Sequence, residues 1–274
     1  MEDVAGLVAA LQDPDGGSAV LRSARRIGAM CRAKSDGCEQ TRESIGAQGG
    51  IEVMAALLDS PSRELQFTVC GALASACAKN STNLGKLVRS GAMTALLRIL
   101  ADTTLQQAEP QPEPQPDTQP ETPPEPHPEP HPEPQPAHGP DILAVRLAAA
   151  GLLAPIAAAQ EGSTALWTHG AAHILVAVVV GATSAIDDER TEGQSLLDHA
   201  KLRLDCLRAL NSVATSEPRC SALLAPSSGL AEACIAVSRH KYDIEGTRCA
   251  VSILRNLALA PEGPLRLLAA GALT

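Results

Sequence analysis

The sequence predicts an all-α protein, an α-solenoid of about five three-helix repeats with a disordered insertion rich in proline and glutamate. Three observations predict this fold. Glycines recur at a helical-repeat period, an apolar stripe recurs at helical spacing, and proline-containing turns separate the predicted helices. Each of these features is taken below in the order of the chain.

Tripeptides with glycine at the first position, or at the second in Ser-Gly-Leu at 228–230, mark the predicted start of the second helix of each repeat. They stand at residues 49–51, 91–93, 170–172, 228–230 and 271–273. The interval from Gly50 to Gly91 is 41 residues, and the interval from Gly229 to Gly271 is 42. The two middle intervals are 79 and 59 residues, because each contains an added low-complexity or polar stretch. A helical period near 42 is typical of an α-solenoid.

The third helix of each repeat carries an apolar stripe. In the second repeat the stripe falls at positions i, i+3, i+4, i+7 and i+8, which share one face of a helix. The sets are Val69, Ala72, Leu73, Ala76, Cys77; Ala149, Leu152, Leu153, Ile156, Ala157; Cys206, Ala209, Leu210, Val213, Ala214; Ala250, Ile253, Leu254, Leu257, Ala258; and a weaker copy, Ser23, Arg26, Ile27, Met30, Cys31. One helix pair cannot bury such a stripe, so neighbouring repeats must stack.

The chain begins with a predicted second helix over residues 4–12 and a third helix over 18–34. Both ends of the sequence are expected to fall inside a repeat, which suggests either a longer protein or covered ends. Pro155 should bend or end the third helix of its repeat, because it lacks a backbone donor. In the following repeat the turn between the second and third helices is expected to be expanded, from about Gly181 to Ala200.

Residues 102–140 separate two parts of one predicted solenoid, residues 1–101 and 141–274. Acidic residues stand at every fourth position from Glu109 to Glu133, and prolines fill much of the space between them. Prolines remove backbone donors and like charges repel, so this insertion is expected to be extended and disordered.

The order of short helix, glycine, helix, proline turn and helix resembles the armadillo repeat. The resemblance rests on lines such as TRESIGAQGGIEVMAALL and AVSILRNLALAPEGPLRLLAAGAL and covers nearly all the chain outside the insertion. HEAT repeats are the nearest alternative, but they lack the short first helix and the glycine after it. The resemblance implies a right-handed α-solenoid whose third helices line a concave groove.

In armadillo proteins an asparagine repeated along the third helices commonly grips an extended peptide. The matching positions here are Ala29, Ser75, Pro155, Ser212 and Asn256, of which only Asn256 fits. Four residues earlier, where nuclear-import adaptors carry tryptophan, stand Arg25, Gly71, Gly151, Arg208 and Ser252. The resemblance to import adaptors is therefore one of fold and not of site.

The predicted groove carries positive charge. The predicted third helices have a net charge of +9, which leaves −18 for the rest of the chain. The main contributors are Arg22, Arg25, Arg26, Arg203, Arg208, Arg248 and Arg255. The groove candidates for partner binding are Arg22, Arg25, Arg208, Ser212, Arg248 and Asn256. Either these arginines are ordinary solvated side chains, or the groove receives an acidic segment from a partner or from residues 109–136 of the same chain.

Composition excludes several classes of function. The net charge is −9 and the pI is about 5.3, which argues against a nucleic-acid binder. No apolar run approaches the roughly 20 residues that span a bilayer, and the start MEDVAG lacks the features of a signal peptide. We therefore expect no membrane partner and a cytoplasmic or nuclear location. The eight cysteines show no C-x-x-C spacing and several fall on the apolar stripes, which indicates core residues.

Catalytic motifs are absent from the sequence. It contains no G-x-S-x-G, P-loop, H-E-x-x-H or dinucleotide-binding pattern. His169 and His173 have a spacing that could hold a metal, but no third ligand accompanies them. We expect no cofactor, no metal site and no enzymatic activity.

The sequence thus favours a protein-interaction scaffold that binds its partner through the groove or through the rim that bears the insertion. An alternative is the regulatory arm of a larger enzyme, such as a kinase or a ubiquitin ligase, whose catalytic domain is absent here. A nuclear-import adaptor is a weaker alternative, because the asparagine and tryptophan positions do not match.

Overall fold

The computed structural model describes residues 3–13, 16–33, 37–102, 140–187, 193–225, 228–239 and 243–272. These residues form fifteen α-helices and no strand. The first repeat comprises α1 Val4–Leu11 and α2 Gly17–Arg32, and the second α3 Cys38–Ala47, α4 Gly50–Leu57 and α5 Arg63–Cys77. The third comprises α6 Ser81–Arg89, α7 Ala92–Ala101 and α8 Ile142–Ala158, and the fourth α9 Gln160–Thr168, α10 Ala171–Asp187 and α11 Gly193–Val213. The fifth comprises α12 Glu217–Leu223, α13 Leu230–Ser238 and α14 Ile244–Leu257, and α15 Gly263–Ala269 follows.

The repeat glycines have the backbone conformation that their position requires. Gly49, Gly91, Gly170, Gly229 and Gly271 have φ angles between 67° and 89°. This left-handed conformation is costly for a residue with a Cβ atom, so glycine is the residue that lets the chain turn from the first helix of a repeat into the second. The prediction that these glycines mark the second helices is confirmed at Gly49, Gly91, Gly170 and Gly229, and at Gly271 the predicted second helix falls at the end of the described residues and stays a prediction.

Consecutive repeats stack along three rows of helices. The third helices pack in the order α2, α5, α8, α11 and α14, and the second helices α7, α10 and α13 pack beside them. The buried apolar residues form one continuous cluster from Leu11 to Leu267. The repeats before and after the insertion therefore share one interior, and the chain forms a single stack of repeats.

The predicted apolar stripes form the core of this stack. In α5, α8 and α11 all five stripe residues are buried. In α14, Leu254 and Ala258 are only partly buried, and in α2 the stripe position held by Arg26 is exposed. The stripes are thus complete in the third helices that have a neighbour on both sides.

Polar side chains of the short first helices bridge neighbouring repeats. Arg42 of α3 donates to the carbonyl oxygens of Cys31 and Ser75 at 2.7 and 3.1 Å. Asn83 of α6 donates through Nδ2 to the carbonyl oxygens of Arg42 and Ala76 at 2.8 and 3.0 Å. The carbonyl groups of Cys31, Ser75 and Ala76 lie in the last turns of α2 and α5, where a helix leaves acceptors without intrahelical partners, and the Arg42 carbonyl lies in the middle of α3.

The prediction of an expanded turn from about Gly181 to Ala200 is wrong for most of these residues, because they lie in helices. Helix α10 continues to Asp187 and α11 begins at Gly193, so most of these residues lengthen two helices that pack against each other. Ala182 and Thr183 are buried, and the Thr183 hydroxyl donates to the Val179 carbonyl oxygen at 2.8 Å. Of the charged run, Asp187 is the last residue of α10, and residues 188–192 lie outside the described residues.

Pro155 does not end its helix. Helix α8 runs to Ala158, and Pro155 lies exposed within its last turn. Near the end of a helix a missing N–H group removes only one backbone bond, so the helix continues for three more residues. Of the predicted disordered insertion, residues 102–140, positions 103–139 lie outside the described residues.

No single helix in the described ranges is both long and apolar enough to cross a membrane. Helices α8 and α9 reach that length and composition only as a pair, and they are bent by 118° at their junction.

Candidate peptide-binding groove

The third helices α2, α5, α8, α11 and α14 present one side to solvent along the whole row. We call this side the groove. Its first part contains a cavity of about 580 Å³ between α2, α5 and α8. The cavity is lined by Ala24, Arg25, Gly28, Arg32, Glu64, Phe67, Thr68, Gly71, Ala72, Pro140 and Ala148.

An ion pair lies at the end of the groove that α2 and α5 form. Arg25 of α2 and Glu64 of α5 pair at 2.5 Å, and both side chains are about half exposed. The predicted groove residue Arg25 is thus in the groove, but its charge is partly neutralised by an acid from the next repeat. Arg22 lies exposed on the same helix, one turn earlier.

The same ion pair recurs at the other end. Arg208 of α11 occupies the repeat position of Arg25, and Glu245 of α14 occupies that of Glu64. Their side chains lie 3.8 Å apart, and Glu245 also pairs with Arg248 at 3.4 Å. The structure therefore brings two of the predicted residues, Arg208 and Arg248, together around one carboxylate.

Asp205 adds a second acid beneath Arg208. Its carboxylate lies 3.3 Å from the Arg208 guanidinium and is largely buried. Burial raises the pKa of this carboxyl group, and the charge of Arg208 opposes the rise. The groove at this end consequently combines fixed positive and negative charges.

Glycines form the floor between the two ion pairs. The repeat position of Arg25 and Arg208 is held by Gly71 in α5 and by Gly151 in α8. A Cβ atom added at Gly71 would meet nothing within 4 Å, and one added at Gly151 would meet only Asp205, at 3.6 Å. Phe67, 42% exposed, stands beside Gly71. The centre of the groove is therefore open and largely apolar.

The asparagine positions of the family pattern are engaged internally. Ser75 is buried, donates to the Gly71 carbonyl oxygen at 2.7 Å and accepts from Arg32 at 3.2 Å. Ser212 donates to the carbonyl oxygen of Arg208 at 3.2 Å. Asn256 lies 3.5 Å from the side-chain oxygen of Asn211. Of these three, only Ser212 and Asn256 retain surface beside the groove.

Arg203 is not a groove residue, which corrects the sequence-based assignment. Its side chain is 1% exposed and pairs with Asp243 at 2.6 Å. Within the described residues its Nε and Nη1 atoms have no hydrogen-bond partner. A guanidinium buried in this way contributes no charge to the solvent-facing side of α11.

Phe67, Glu64 and Glu245 are the residues that the sequence reasoning missed. The signal for the two glutamates was present, because both stand at the same repeat position, near the start of a third helix. Their partners precede them by about one repeat, and pairing at that distance depends on how the repeats stack.

The cysteines lie where the sequence interpretation placed them. Cys31, Cys70, Cys77, Cys206, Cys220 and Cys234 are buried, and all eight cysteines are free thiols. Burial raises the pKa of Cys70 and Cys206 to about 12, so these thiols are protonated at neutral pH. Among the described residues no group of His, Cys, Asp or Glu is arranged to hold a metal.

The fold and the groove define an α-solenoid of armadillo-like repeats. The chain is similar to computationally designed armadillo repeat proteins for modular peptide recognition, at 19% identity and a TM-score of 0.68, over 99% of this chain and 89% of that one. It is also similar to a designed armadillo repeat protein in complex with the peptide (KR)4, at 18% identity and a TM-score of 0.66, over 99% and 89% of the chains.

A natural protein has the same architecture. This is an armadillo-repeats-only protein from Plasmodium falciparum, at 14% identity and a TM-score of 0.61, with 93% of this chain and 92% of that one covered. No family model matches the sequence, and no curated protein matches it. The likeness to these structures establishes the armadillo-like fold and leaves the ligand to be inferred from the groove.

Proposed function

We propose that this protein is a non-catalytic scaffold that binds an extended, acidic segment of a partner protein in the groove. The observation that carries the proposal is the pair of equivalent Arg–Glu contacts, Arg25–Glu64 and Arg208–Glu245, on either side of a glycine floor. The designed relatives recognise peptides, which supports a peptide as the class of ligand.

The spacing of the two ion pairs suits a short extended peptide. From α2 to α11 there are three steps between neighbouring helices, and each step is about 8–10 Å. An extended chain rises about 3.3 Å per residue, so roughly eight residues reach from one ion pair to the other. Backbone groups of such a peptide can approach the floor closely at Gly71 and Gly151, where no side chain intervenes.

Charge favours an acidic ligand. Arg22, Arg25, Arg208 and Arg248 are exposed along the groove, and each of the two ion pairs contributes one glutamate. The designed relative noted above binds (KR)4, a basic peptide. A groove whose third helices are net positive should reject that peptide and attract carboxylates, most strongly at low ionic strength.

Fluorescence anisotropy with three labelled peptides of equal length tests the proposal. One peptide is acidic, one neutral and one basic. We expect the acidic peptide to bind most tightly and its affinity to fall with added salt. Equal binding of the acidic and basic peptides would refute the proposal. It would also be refuted if neither peptide bound to the intact chain or to a chain lacking residues 109–136.

Gly71→Leu is the variant that locates the site. The added side chain enters open space in the groove floor and should lower the affinity at least about tenfold by occupying the path of the peptide. Gly181→Leu is the matched control, because Gly181 is also helical with nothing within 4 Å of its Cβ position and lies on α10, away from the groove. Equal effects of the two substitutions would exclude the groove as the site.

The acidic residues 109–136 are a candidate competitor from the same chain. They lie outside the described residues, but Pro140, which follows them, lines the groove cavity beside Phe67. We propose that this segment competes with partner peptides for the groove. Deleting residues 109–136 should then strengthen binding of the acidic peptide, and unchanged affinity at low salt would rule out the competition.

A further inference from the structure

Asp205 of α11 is a buried acid whose second carboxylate oxygen has no partner. The residue is 7% exposed. Its Oδ1 atom accepts a hydrogen bond from the Arg208 guanidinium at 3.3 Å, whereas Oδ2 has no hydrogen-bond partner among the described residues. Polar atoms of buried side chains nearly always have a partner, so an unpaired carboxylate oxygen at such a position needs a physical explanation.

The unpaired oxygen points toward the floor of the groove. A Cβ atom added at Gly151 of α8 would lie 3.6 Å from Asp205 Oδ2 and would meet nothing else within 4 Å. Gly151 occupies the repeat position of Gly71, which lines the groove cavity. The repeat position of Asp205 is held by Thr68 in α5 and by Ala148 in α8, and both of these residues also line the cavity. Asp205 Oδ2 therefore borders the open space of the groove.

The charges around Asp205 favour a neutral donor over a cation as its partner. Burial raises the pKa of this carboxyl group, and the charges of Arg208 and Lys201 oppose the rise. Lys201 is exposed and stands one turn earlier on α11. A third cation would be repelled by these two, whereas an uncharged N–H group would not. Because Gly151 has no side chain, the main chain of a peptide can approach Oδ2 closely.

We propose that Asp205 Oδ2 accepts a hydrogen bond from one backbone N–H group of the peptide in the groove. This inference rests on the proposed function, because it requires a bound peptide. Asp205 then selects against proline at one position of the ligand, since proline has no N–H group. Arg208 contacts the other oxygen of the same carboxylate, and an extended chain advances about 3.3 Å per residue. The N–H group therefore belongs to a residue within about two positions of the ligand acid that meets Arg208.

A scan of backbone N-methylation tests this bond. The probe is a labelled peptide of roughly ten residues, with one glutamate near each end and alanines between them, which fits the groove in one register. Each variant carries a methyl group on one backbone nitrogen and so lacks one donor. Fluorescence anisotropy gives its affinity for the full wild-type chain and for Asp205→Ala.

We expect methylation at one position, within about two residues of a terminal glutamate, to lower the affinity for the wild-type chain at least about tenfold. The same methylation should lower the affinity for Asp205→Ala less than about threefold, because the acceptor is gone. Asp205→Asn keeps the shape and an uncharged acceptor oxygen, so this variant should show a penalty between the two. Thr68→Ala is the matched control, since Thr68 occupies the same repeat position in α5, and its profile should equal that of the wild type.

Two results would overturn the inference and leave peptide binding in place. One is a methylation penalty that is the same in the wild type, Asp205→Ala and Asp205→Asn. The other is a uniform loss of affinity of all the peptides for Asp205→Ala, which would mean that Asp205 only positions Arg208. If the unmethylated probe bound neither the full chain nor a chain lacking residues 109–136, the proposed function would fail, and this inference with it.

Discussion

Asn83 provides a test of how the repeats are held together. Its side chain is 1% exposed at the junction of the second and third repeats. The Nδ2 group donates to the carbonyl oxygens of Arg42 in α3 and Ala76 in α5, at 2.8 and 3.0 Å. Replacing Asn83 by alanine removes both donors and leaves a small void in their place.

The expected cost of Asn83→Ala is about 2–3 kcal/mol of unfolding free energy. A buried acceptor that loses its partner costs about 1–3 kcal/mol, and no water reaches a side chain this deeply buried without opening the junction. Asn83→Asp keeps the shape but places carboxylate oxygens against the two carbonyl groups. It should therefore destabilise the protein at least as much as the alanine does.

Urea unfolding followed by circular dichroism measures these changes as shifts of the midpoint at constant slope. Asn211→Ala is the matched control, because Asn211 is half-buried and its side chain makes a long contact of 3.5 Å with Asn256. We expect this control to cost less than about 1 kcal/mol. If Asn83→Ala cost no more than the control, the bonds from Asn83 would not stabilise the junction and the reasoning would be wrong.

Three further predictions concern single positions. Gly91→Ala should destabilise the fold by about 1–2 kcal/mol, because φ is 82° at this position. Gly71→Ala lies within a helix and should stabilise the fold by about 0.5–1 kcal/mol. Urea unfolding should therefore show changes of opposite sign for the two variants. Burial raises the pKa of Cys70 from 9.0 to about 12, so above pH 9 the unfolded chain releases a proton that the folded chain keeps. Stability should consequently fall as the pH rises from 9 toward 12, and less steeply in Cys70→Ala. Asp243→Ala should cost about 3–5 kcal/mol by leaving the buried charge of Arg203 unpaired, and adding Arg203→Met should recover part of that loss in the same assay.

Much of the fold could be predicted because its signals are local. The left-handed glycines and the stripe at i, i+3, i+4, i+7 and i+8 depend on residues within one or two helical turns. The extension of α10 and α11 through residues 181–187 and 193–200 escaped prediction, because the small and polar residues there are compatible with both a turn and a helix, and packing of the two helices decides between them.

The groove was predicted in outline but not in its contacts. Arg25, Arg208 and Arg248 lie on the solvent side of the third helices, where each is paired with a glutamate, and Arg203 is buried. Their role in binding a partner stays a prediction. The sequence gives the charge of each residue but not the identity of its neighbours. The positive charge assigned to the predicted third helices therefore overstates the charge that the groove presents to a ligand.

The sequence by itself determined the repeat, its period and the residues of its core, since helical periodicity and turn chemistry are properties of short segments. Tertiary structure alone decided which charged side chains form ion pairs and which of them point into the groove. It also decided which apolar side chains remain exposed to solvent. The physical reason is distance along the chain. The partners Arg25 and Glu64, or Arg203 and Asp243, stand about 40 residues apart and meet only because consecutive repeats stack.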